Sequence, residues 1–201
     1  MPTKDELVAS IRSYKSQLIT NRTQADVDSL IALLKIPFSK MTSAQKTAIR
    51  SSQKGAYNPS DRNRVGNFVG TFHTLMHDYY GITVFNFQTL PTTWENITDP
   101  STVQLKAYID SLLAFRSKWY EVFHLSSPPS LSQIYDGITL TTANNIEKIL
   151  NAVSGEFLDH MLPIEHRYCG EVVPGDGTNY IMPCGLTDAG GNSIWIGVNT
   201  A

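Results

Sequence analysis

Charge is scarce in this chain, and neither sign dominates. Charged residues make up 17% of 201, with 16 Lys and Arg against 18 Asp and Glu, a net of -2 at pH 7. A general binder of nucleic acid or of anionic membranes carries a basic excess, so neither partner is expected. Cysteine is nearly absent: Cys169 and Cys184 are too few for a disulfide scaffold. No apolar run approaches the ~20 residues that a membrane span needs. The opening MPTKDELVAS holds acids and no apolar stretch, so a secretory leader is not expected. There is no Gly-x-Ser-x-Gly elbow, and Gly175-Asp-Gly177 and Gly190-Gly191 are too sparse to cradle a phosphate. What remains is 41% hydrophobic and 10% aromatic, too apolar for a disordered chain. That is enough for one domain with a real core, with or without a small appendage.

Periodicity predicts helices over the first four-fifths. Thr3 and Glu6 form a capping box ahead of Leu7, Ile11, Tyr14 and Leu18. Thr23 with Asp26 opens a second helix whose Val27, Leu30, Ile31 and Leu34 make a clean apolar face, ended by Ile36-Pro37. Residues 43–53 read as a weaker helix with little to bury. Asn58, Pro59 and Asp61 announce the next helix, with Val65, Val69, Phe72, Met76 and Tyr79 on one face and Gly81 placed to end it. Residues 82–88 alternate like a short strand or an extended loop. Asp99-Pro100 opens a helix through Leu105, Tyr108, Ile109, Leu112 and Trp119. Thr142 starts a last one through Ile146, Ile149, Leu150 and Val153, running on towards Met161.

From Pro163 the helical period stops, and glycine pairs punctuate short runs such as Tyr180-Ile-Met and Ile194-Trp-Ile. The expected fold is therefore mainly α: a bundle of five to six helices with a small β-hairpin-rich C-terminal tail. Residues 1–54 read as an N-terminal helical arm, 55–162 as the helical core, and 163–201 as the β-rich tail. That tail holds few apolar residues and needs the helices or another subunit to stay folded.

Candidate ligands are few. His73 and His77 are four apart on one helix, a spacing that suits a shared metal, yet Thr74 stands where a metalloprotease helix has glutamate. Unassigned boundary histidines are the simpler reading. His160, His166, Cys169 and Cys184 have the right chemistry for zinc or for a small hydrolytic site, but none of the usual spacings. A Cys169–Cys184 staple or two free thiols fit as well. A third option is a carbohydrate module stacking Trp195 and Tyr180 on sugar rings. The aromatics Tyr79, Tyr80, Phe85, Phe87, Trp94, Trp119, Tyr120 and Phe123 exceed what a thin helical layer hides; filling the core between three helices accounts for most of them, and any remainder points to a contact surface. No catalytic, cofactor-binding or metal-ligating residue is assigned, and no cofactor is expected.

The segment Gly55-Ala-Tyr-Asn-Pro-Ser-Asp-Arg-Asn-Arg-Val65 is followed by Trp94-Glu-Asn-Ile-Thr-Asp-Pro100 and Tyr108-Ile-Asp-Ser-Leu-Leu-Ala-Phe-Arg116. Gly137-Ile-Thr139, Ala143-Asn-Asn-Ile-Glu-Lys-Ile-Leu150 and Arg167-Tyr-Cys-Gly-Glu171 come after. In order and spacing this set resembles minor structural proteins, associated with the tail or baseplate, of phages and prophages of Gram-positive hosts. The resemblance covers residues 55–171. It departs in having Thr92-Thr93 before Trp94, and Cys169 where relatives carry serine. It implies a non-enzymatic virion protein, assembled in the bacterial cytoplasm, forming homo-oligomers and binding other tail or baseplate proteins. Contact with the host surface is a further role it leaves open.

The motif also has a physical reading that centres on Tyr57, Asn58, Asp61, Asn63, Arg64 and Trp94. Asn58, Ser60 and Asp61 satisfy the free amides of a helix start. Arg64 can reach a carboxylate or carbonyl of a neighbouring segment, and Asn63 can bond the loop crossing the helix entrance. Trp94 is expected to plug the gap between the helices beginning near Pro59 and Pro100. That is a cluster for fixing a fold.

Overall fold

A computed structural model describes residues 1–83, 89–94, 101–131 and 138–162. Six α-helices follow one another: α1 Lys4–Ser16, α2 Gln24–Leu34, α3 Ser43–Thr47, α4 Pro59–Tyr80, α5 Thr102–Val122 and α6 Leu140–Glu156. A 3₁₀ turn at Phe38–Lys40 follows α2, and π-helical turns at Ala48–Ser52 and Phe157–Met161 extend α3 and α6. No strand occurs among the described residues. The expected β tail, and within it His166, Cys169, Tyr180, Cys184 and Trp195, lies outside them. So do residues 84–88 of the strand-like run at 82–88, with Phe85 and Phe87, and the Asp99-Pro100 turn.

The helix starts follow from local chemistry. Thr3, Thr23 and Asn58 each cap with a reciprocal bond from the residue three positions on: Glu6, Asp26 and Asp61. Ser101 with Gln104 does the same for α5, so that helix begins just beyond the Asp99-Pro100 start expected. α6 begins at Leu140 rather than Thr142, because the Thr139 side chain accepts from the Thr142 amide. At the other end of α4, Gly81 adopts φ 65°, and its N–H donates to the His77 carbonyl at 3.2 Å.

The core is aromatic. Phe72, fully buried on α4, has five rings around it: Phe68, Phe115, Trp119, Phe123 and Phe157, at centroid distances of 5.1–6.4 Å. All but Phe68 meet it edge-on, the arrangement that ring quadrupoles favour. The aromatics expected on a contact surface are largely inside: Trp94, Trp119, Tyr120 and Phe123 are all buried, and Tyr79 is the exposed one among those described. Three helices converging on one aromatic face hide more ring area than a single layer, so core filling accounts for these rings and the contact-surface reading does not hold for them.

The segment read as an arm divides in two. α1 belongs to the core, since Leu7, Val8 and Ile11 join the same cluster as Phe68 and Ile146. α2 buries no residue at all. Its apolar Val27–Leu34 face stays partly exposed, with Ile31 and Leu34 the most open. Each large aliphatic side chain that could be fully buried is worth about 1.5–3 kcal/mol, so this face leaves a sizeable gain unused within the described residues.

Candidate functional site

The first turn of α4 carries most of the motif. Asn58 Oδ1 accepts from the Asp61 amide at 3.2 Å, and Asp61 Oδ2 accepts from the Asn58 amide at 3.0 Å. Ser60 Oγ donates to Asn58 Oδ1 at 2.6 Å, closing the turn. That leaves Asp61 Oδ1 aimed into the protein, where a dehydrated carboxylate needs cations.

Two arginines supply them. Arg64 Nη2 lies 2.7 Å from Asp61 Oδ1, and Arg22 Nη2 lies 3.1 Å from it. The same two nitrogens reach Glu147 Oε1 on α6, at 2.8 Å from Arg64 and 2.7 Å from Arg22. The four groups form a closed ring of alternating charge with no net charge. The side chains of Arg22, Asp61 and Glu147 are at most 3% exposed. Glu147 Oε2 accepts from the Ile19 amide, so both of its oxygens are engaged, as are both of Asp61. Burial acts to lower the Arg64 pKa, but the charges of Glu147 and Asp61 outweigh it and raise the guanidinium above its ordinary value.

The neighbours of the ring extend the lock. Asn144 Oδ1 accepts from the Arg22 amide at 2.8 Å, and Asn144 Nδ2 donates to the Arg22 carbonyl at 2.9 Å. The Arg22 guanidinium lies 5.4 Å from the centre of the Tyr57 ring, and Tyr57 shares a 2.7 Å hydroxyl hydrogen bond with Tyr108 of α5. Burial raises the pKa of both tyrosines. The loop before α2, the entrance of α4, α5 and α6 thereby meet at one polar knot.

A second lock lies one turn along α4. Asn63 Oδ1 accepts from the Trp94 amide at 2.8 Å. The Trp94 ring is fully buried, edge-on to Tyr108 at 5.5 Å, with the Arg62 guanidinium 5.1 Å from its centre. Gly66 completes the fit, because a Cβ there would stand 2.6 Å from the Pro91 carbonyl oxygen. The six motif residues Tyr57, Asn58, Asp61, Asn63, Arg64 and Trp94 are thus brought to one end of α4.

The two partners that sequence reasoning missed are Arg22 and Glu147. A signal for Glu147 existed. It falls on the same face of α6 as Ala143, Ile146, Leu150 and Val153, and a carboxylate on an apolar face requires a cation.

The histidine pair sits elsewhere, towards the far end of α4. The His73 and His77 rings are 6.0 Å apart and near parallel, and His77 Nδ1 is 2.6 Å from Asp78 Oδ1. Burial first, and then the charge of His77, lower the His73 pKa, with Asp78 working against them. Among the described residues no three His, Cys, Asp or Glu side chains gather as metal ligands. His160, the other three members of whose expected cluster lie outside the described residues, is 3.9 Å from Glu156 on its own helix turn. No helix described is long and apolar enough to cross a membrane. No protein-family model, curated protein or solved structure matches the chain.

Proposed function

We propose that this protein is a non-enzymatic structural component of a phage virion, in the tail or baseplate, assembled in the bacterial cytoplasm. The observation that carries the reading is the Arg22–Asp61–Arg64–Glu147 ring. Its carboxylate oxygens are all engaged by the chain itself, and it ties together segments far apart in sequence. Asn58, Asp61, Arg64, Asn144 and Glu147 lie in the segments that carry the family resemblance, and with Arg22, which lies outside them, they make this knot. Carboxylates held in this way serve to fix a shape, whereas general acid–base chemistry needs a group within reach of a substrate proton.

A part that repeats in a virion presents complementary surfaces to its neighbours, so the protein forms homo-oligomers and binds other tail or baseplate proteins. The mechanism is burial of apolar area between subunits, on surfaces other than the aromatic core. Immunogold labelling of virions from an induced prophage tests the assignment. Label confined to the tail or baseplate supports it, and intact virions free of label refute it.

A further inference from the structure

Among the described helices of more than ten residues, α2 alone buries nothing. Ile31 and Leu34 lie one helical turn apart at 46% and 55% exposure, and Phe38 follows in the 3₁₀ turn at 61%. The surrounding sequence is cationic. Residues 29–54 hold Lys35, Lys40, Lys46, Arg50 and Lys54 and no acidic residue, in a chain whose net charge is -2. Charge and apolar surface are joined, since Lys46 Nζ lies 4.6 Å from the centre of the Phe38 ring. An apolar face with a cationic border fits an occupant that is both apolar and acidic.

The chain contains such a segment. Residues 163–201 carry Glu165, Glu171, Asp176 and Asp188 against Arg167 alone, with the apolar runs Tyr180-Ile-Met182 and Ile194-Trp-Ile196. They continue directly from Leu162, at the end of the described chain. Extended, a segment of this length spans on the order of 100 Å, whereas a domain of this size has a radius of gyration of roughly 16 Å. Every face of the helical body is within its reach. We propose that residues 163–201 dock in cis on the Ile31–Leu34–Phe38 face of α2, their carboxylates facing Lys35, Lys40 and Lys46. The proposal goes beyond the virion role and does not depend on it.

Carbodiimide cross-linking of the full-length chain, prepared as an equal mixture of unlabelled and ¹⁵N-labelled protein, tests it by mass spectrometry. The expected products join Lys35, Lys40 or Lys46 to Glu165, Glu171, Asp176 or Asp188 within one isotope class. Leu34→Ser combined with Phe38→Ser keeps every reactive lysine and alters only exposed side chains. It is expected to lower the yield of those links by about tenfold. Links found only between isotope classes overturn the proposal in favour of a second copy. An unchanged yield in the double variant overturns the apolar seat. No links to residues 163–201, together with co-sedimentation on phosphatidylserine vesicles, assigns the face to a membrane instead.

Discussion

Arg22 and Glu147 stand 125 positions apart in the chain, and their side chains meet at 2.7 Å with almost no solvent between them and the core. Removing one member of a buried charge pair leaves the other dehydrated and unpaired. Glu147→Gln is therefore expected to destabilise the protein by about 3–5 kcal/mol, read as a lower urea midpoint at unchanged slope. A midpoint close to that of the parent protein would show that the ring contributes little.

Gly66 lies under the loop that carries Trp94. Replacing a mid-helix glycine by alanine ordinarily stabilises by roughly 0.5–1 kcal/mol. Here the added methyl meets the Pro91 carbonyl oxygen at 2.6 Å, a backbone atom that cannot swing aside, with Thr92 Cγ2 at 3.4 Å and Leu90 Cβ at 3.5 Å beside it. Gly66→Ala is expected to destabilise instead, by about 1–3 kcal/mol, with thermal unfolding as the measurement.

Phe72 is the hub of five rings. Phe72→Ala is expected to lose about 3–5 kcal/mol in chemical denaturation, because the large rings around it cannot collapse into the space. Phe72→Leu is expected to lose clearly less.

The tyrosine pair gives an alkaline signature. Burial raises the folded-state pKa of Tyr57 and Tyr108 above the unfolded value of about 10. The unfolded chain then loses these protons first. Stability from this source is complete below about pH 10 and declines as pH rises beyond it. Tyr57→Phe is expected to flatten that decline in stability–pH profiles measured from pH 8 to 11.

Much of the fold is legible in the sequence because capping is local. Thr3 with Glu6, Asn58 with Asp61, and Gly81 are each fixed by residues within one turn, and the structure uses all of them. The entrance of α4 could likewise be read as a fold-fixing cluster from Asn63 and Arg64. Arg22 could not, since nothing near it says that it will be buried beside α6. The α2 face shows the opposite limit. A period of i, i+3, i+4, i+7 establishes that Val27, Leu30, Ile31 and Leu34 share a side, but not that a partner within the helical body covers it. The α5 aromatics show a related limit: abundance of rings does not tell which of them fill the core and which form a surface, and Phe115 and Trp119 pack on Phe72 inside.

The charges at the entrance of α4 act as one interlocked unit. A double-mutant cycle on Arg22→Met and Glu147→Leu, read by equilibrium denaturation, tests it most directly. The double variant is expected to lose at least about 2 kcal/mol less than the sum of the single losses, because removing both leaves Asp61 and Arg64 still paired. Losses that add to within about 0.5 kcal/mol would contradict it.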